Sequence, residues 1–71
     1  MGHIILIKDE ECEPKLIAEI NTNVYTNLCT VNYILGDKLL ARTEYHIKTK
    51  YTEVFKDVQN YFYGVENLTQ N

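Results

Sequence analysis

Apolar and polar positions alternate along most of the chain and then shift to a helical rhythm near its end. Ile4 to Lys8 is a β-branched run and Leu16-Ile17-Ala18-Glu19-Ile20 is a second, which together predict a hairpin or a pair of neighbouring strands. Asn21-Thr22-Asn23 punctuates the chain. From Tyr25 to Leu35 a period of two sets Cys29, Val31, Tyr33 and Leu35 on one face, against Leu28, Thr30, Asn32 and Ile34 on the other. Gly36-Asp37 signals a turn. Beyond it, Leu39, Ala41, Thr43, Tyr45 and Ile47 alternate with Leu40, Arg42, Glu44 and His46, which predicts a fourth strand.

The apolar pattern constrains how the last two strands pair. A two-residue Gly36-Asp37 loop sets Val31 opposite Arg42 and Cys29 opposite Glu44, apolar against charged on one face. A loop that includes Lys38 sets Leu35 opposite Leu39, Tyr33 opposite Ala41, Val31 opposite Thr43 and Cys29 opposite Tyr45. That register gathers the apolar residues, so the longer loop is expected.

At 100° per residue, Tyr51, Val54, Phe55, Val58, Tyr61, Phe62 and Val65 fall in one arc, while Glu53, Lys56, Asp57, Gln59 and Asn60 lie outside it. An amphipathic helix from about Lys50 to Tyr63 follows, with Thr49 as its cap and Gly64 as its end. Residues 66–71 are polar and read as a frayed tail. The expected fold class is α+β: a four-stranded antiparallel sheet with one C-terminal amphipathic helix packed on one face. The helix covers a face built from Leu16, Ala18, Ile20, Cys29, Val31, Tyr33, Ala41 and Tyr45.

Composition narrows the picture. A chain of 71 residues has room for a single small domain, 1–71, and not for two cores. Its 45% hydrophobic content argues against disorder, and its longest apolar run, Ile4-Ile5-Leu6-Ile7, is far too short to cross a membrane. Two cysteines without paired spacing are too few for a disulfide scaffold, so a reducing cytoplasm is the expected location. Met1-Gly2-His3 reads as a plain start or the remnant of a tag. Asn, Ile, Lys and Tyr make up more than a third of the chain and Lys outnumbers Arg six to one. These residues use AT-rich codons, which fits an AT-rich bacterium, its phage or a mobile element.

The candidate chemistry is sparse. Serine is absent, which excludes a serine nucleophile. Cys29 lies on the expected core face and Cys12 among carboxylates, neither of which favours a reactive thiolate. The acidic segment Asp9, Glu10, Glu11 and Glu13 reads as a solvated loop that can guide a partner electrostatically. His3 and His46 lack metal-ligand spacing with the cysteines, and Gly2, Gly36 and Gly64 are too scattered for a phosphate loop. Neither a cofactor nor enzymatic activity is expected. Arg42, Lys48 and Lys50, with the exposed Tyr63, offer a nucleic-acid-binding module as the alternative function, although the net charge of −3 weighs against it.

The second face of the sheet carries the leading expectation. Ile17, Leu28, Ile34 and Leu40 point away from the helix there, and the first strand is apolar on both faces. One helix cannot cover both sides. The chain is therefore expected to be a non-enzymatic interaction protein, of the kind a phage or mobile element encodes as an accessory factor, that forms a homodimer or docks on a host protein through those four residues.

Overall fold

The computed structural model describes residues 2–7 and 15–69, with side chains through Val65. Four strands, β1 (His3–Ile7), β2 (Leu16–Asn23), β3 (Leu28–Leu35) and β4 (Lys38–His46), precede one helix, α1 (Tyr51–Thr69). The strands lie in sequence order and every neighbouring pair is antiparallel. The architecture is the expected ββββα arrangement.

The helix packs on the face that the alternation predicts. Leu16, Ala18, Ile20, Cys29, Val31 and Tyr33 are buried together with Val54 and Val58 of α1. Ile4, Leu6, Ala41 and Tyr45 are partly buried around this cluster. Complete burial is thus confined to β2, β3 and the helix stripe, so the helix packs chiefly on the two central strands. Tyr33 is pinned from above, its ring stacked on Tyr61 with centroids 3.8 Å apart and meeting Phe62 edge-on at 6.3 Å. Tyr51, expected within the buried arc, is half exposed; it stacks on Phe55 and turns its hydroxyl toward Gly2 beside β1.

Turns account for most departures from the expected boundaries. β2 runs through Asn21-Thr22-Asn23, and the reversal comes at Val24 to Asn27. The Asn23 side chain accepts the Tyr25 N–H at 2.9 Å and Asn27 adopts φ 58, the left-handed conformation that Asn tolerates better than most residues. Tyr25 therefore belongs to a turn and not to the third strand. Gly36-Asp37 forms a two-residue turn, with Leu35 opposite Lys38 and a positive φ of 65 at Gly36 alone. This pattern matches a type II′ hairpin turn, whose twist suits the flanking strands. The longer loop is thus corrected, yet Tyr33 still faces Ala41, Val31 faces Thr43 and Cys29 faces Tyr45. A β-bulge between Tyr33 and Ile34 reconciles the two: Ile34 pairs with Leu39, and Leu40 is the extra residue.

The helix also differs at both ends. Lys50, not Thr49, occupies the cap position, its carbonyl accepting the N–H groups of Glu53 and Val54; the Thr49 N–H is turned back to the His46 carbonyl at 2.9 Å. Gly64 does not terminate α1, which continues to Thr69, so residues 66–69 extend the helix while 70 and 71 lie outside the described residues. A glycine inside a helix costs about 0.5–1 kcal/mol relative to alanine. Among the described residues, nothing lies within 4 Å of a methyl group placed at Gly64. Gly64→Ala is therefore expected to stabilise the protein by about 1 kcal/mol, seen as a rise of several degrees in Tm; an unchanged or lower Tm would show that the glycine's backbone freedom is needed there.

Candidate interaction surface

Pairing across the sheet arranges the helix-free side in rows. At the end nearest Gly36, Ile7 faces Ile17, Ile17 faces Ile34 and Ile34 faces Leu39, an unbroken apolar row across all four strands. Ile5 and the bulge residue Leu40 flank it. Exposure rises outward: Ile17 and Ile34 are half-buried, whereas Ile5, Ile7, Leu39 and Leu40 expose 50%, 42%, 58% and 40% of their surface.

The next rows are polar. Ile5 leads to Glu19, Asn32 and Arg42, and His3 leads to Asn21, Thr30 and Glu44. Glu19 anchors this half. One carboxylate oxygen accepts the Asn21 amide at 3.1 Å and the other lies 3.6 Å from His3 Nε2.

The structure brings together three of the four residues expected on the surface. Ile17 and Ile34 are direct neighbours and Leu40 adjoins them. Leu28 stands six positions along β3 from Ile34, about 20 Å away at strand spacing, beyond both polar rows and opposite Asn23 and His46. Ile7 and Leu39 complete the row in its place. The longer loop hides Leu39 by placing it on the helix side; the mismatch between a favoured two-residue turn and the apolar register is the signal for a bulge. The acidic residues Asp9, Glu10, Glu11 and Glu13 lie outside the described residues.

The basic residues do not gather. Arg42 is exposed on the helix-free side, while Lys48 and Lys50 follow β4 at the far end of the sheet. Tyr63 is exposed on α1, twelve residues and about 18 Å of helix beyond Tyr51. No stripe joins them. The His46 ring accepts the Lys48 N–H through Nδ1 at 3.1 Å. Among the described residues no three metal-ligating side chains come together. A shallow cleft beside Gly64, lined by Asn60, Tyr61 and Val65, offers a mostly apolar wall and no charged group. No described helix is long and apolar enough to cross a membrane.

On the opposite side, burial pushes the Cys29 thiol up, away from the reactive thiolate. Tyr45 donates a hydrogen bond to Asp57 Oδ2 at 3.0 Å, tying β4 to the helix. Compared with models of protein families, with curated proteins and with solved structures, the chain matches none.

Burial, with the Asp57 carboxylate nearby, raises the phenols of both Tyr33 and Tyr45 above their ordinary range. The folded protein therefore keeps protons that the unfolded chain releases. This contribution to stability is complete below about pH 10 and is lost as pH climbs through the folded values. Tyrosinate absorbance followed with far-UV circular dichroism should show these two tyrosines ionising above the others, together with unfolding; six tyrosines titrating as one class near pH 10 in a folded protein would refute it.

Proposed function

We propose that this chain is a non-enzymatic protein-interaction domain that acts by self-association through the helix-free side of its sheet. The row Ile7, Ile17, Ile34 and Leu39 carries this reading. With Ile5 and Leu40 it exposes on the order of a few hundred Å² of contiguous apolar surface, the size at which patches on small proteins serve contacts. That is about half, or less, of the roughly 800 Å² that one partner contributes to a stable interface. A partner must therefore engage the row together with an adjoining part of the molecule. A second copy supplies the same row and the same adjoining edge, and a twofold interface uses one patch twice.

Docking on a host protein is the other form of the same function, using the same residues. The abundance of Asn, Ile, Lys and Tyr, whose codons are AT-rich, fits an AT-rich genome such as that of a phage or mobile element, and a free, buried Cys29 is compatible with a reducing cytoplasm.

Light scattering over a micromolar concentration series tests the reading. The wild-type mass should rise above 8.3 kDa with concentration, and Ile7→Lys with Leu39→Lys should shift that rise at least tenfold upward in concentration. Both side chains are about half exposed, so Tm should change by only a few degrees. A wild-type protein of monomer mass throughout, or a double variant that associates equally well, would overturn self-association by this face.

A further inference from the structure

The two edges of the sheet are unlike. β4 carries Lys38, Arg42 and Glu44 and is bent by its bulge, devices that discourage a further strand from adding. β1 has none of these between Ile4 and Ile7, and is apolar on both sides. Nothing among the described residues pairs with its outer edge. An apolar edge that no described residue guards, continuous with the exposed row, is the part of the molecule that a partner strand fits.

The phase of the β1 hydrogen bonds identifies that strand. The Gly2 carbonyl accepts the Thr22 N–H at 2.9 Å, and the Gly2 N–H donates to Thr22 Oγ1 at 2.7 Å, so Gly2 turns toward β2. Antiparallel alternation then directs the backbone groups of Ile4 and Leu6 to β2, and those of His3, Ile5 and Ile7 outward. This outward set is symmetric about Ile5. A twofold axis normal to the sheet sets Ile5 against its own copy and His3 against Ile7, and every outward group in the strand finds a mate. On the helix side, Ile4 meets Leu6 of the second copy, extending a core that leaves both only partly buried.

Resting on the self-association reading above, we infer that β1 is the mating edge of a homodimer, pairing antiparallel with β1 of a second copy, Ile5 opposite Ile5. Two four-stranded sheets become one of eight strands, with both helices on the same side. Helices packed chiefly on β2 and β3 would stand about 19 Å apart at a strand spacing near 4.8 Å. A helix is about 10–12 Å across, which leaves them clear of each other. Across the axis Ile5 joins the two apolar rows into one diagonal band on the open side. A five-residue edge falls short of the roughly 800 Å² per partner of a stable interface, which sets the dimer at the weak, micromolar end.

Cysteine cross-linking under mild oxidation, in a Cys12→Ala background, tests the register. Ile5→Cys puts the new thiols on Cα atoms about 5.5 Å apart, within disulfide range. His3→Cys alone separates them by about 13 Å along the strands. Ile5→Cys should yield at least tenfold more covalent dimer than His3→Cys, and mixed His3→Cys and Ile7→Cys proteins should cross-link to each other. Ile5→Pro removes an outward N–H without touching the β2 ladder, and should give a monomer with an unchanged circular dichroism spectrum. If it fails to fold, the cross-linking comparison decides. Equal yields from the two cysteine variants, or association lost in Leu39→Lys but kept in folded Ile5→Pro, would overturn the edge dimer while leaving self-association by the face intact. A wild-type protein that stays monomeric would overturn both.

Discussion

The structure depends on the contact between one helix and two strands. Val54 and Val58 are fully buried against Ala18, Ile20, Val31 and Tyr33. Each fully buried valine contributes on the order of 1.5–3 kcal/mol. A helix about 10–12 Å wide cannot span four strands, which at about 4.8 Å spacing occupy some 19 Å. The outer strands are therefore held mainly by their ladders and by flanking contacts. Tyr45 reaches Asp57 from one side, and Tyr51 reaches Gly2 from the other. That limit on width leaves β1 only partly sheltered and the reverse of the sheet without any cover from the helix.

Much of this arrangement is legible in the chain because alternation and helical spacing are local signals. Cys29, Val31 and Tyr33 declare one face of a strand unaided, and Val54 and Val58 declare a helical stripe. What escapes such reading depends on competition between local rules. Glycine at position 36 favours a tight hairpin turn, the register of Tyr33 and Val31 demands one more residue, and the bulge at Leu40 satisfies both. Gly64 carries a helix-ending signal, but Val65 belongs to the inward stripe and the helix continues past the glycine. Thr49 is a better cap by type than Lys50, yet its N–H is committed to closing the turn after β4. The candidate surface was readable only in part for the same reason: Ile17 and Ile34 follow from alternation, whereas Leu39 reaches the open side only through the bulge.

The open side is divided, and the division affects what can bind there. Glu19, with His3 and Asn21 around it, and Arg42 farther along the same row would all lose water if the whole face were stacked against another sheet. Burying such groups without full hydrogen bonding costs several kcal/mol, more than a few half-exposed aliphatic side chains return. Face-to-face stacking over the entire sheet is thereby disfavoured. Contact at the apolar end leaves the polar half in water.

The same reasoning separates the two edges. A small domain with one helix has too little core to be indifferent to its surroundings, and every unpaired strand edge is a route to unwanted pairing. On β4 the charged residues and the bulge close that route. On β1, Ile5 stands in the row that ends in Arg42 on β4, and replacing Ile5 or Ile7 by a charged residue would remove little from a core that does not contain them. Fold stability therefore gives no strong reason for apolar residues there. A contact that buries them would, and a strand added at this edge would meet the outward backbone groups of His3, Ile5 and Ile7, which fix the direction and register that can be satisfied.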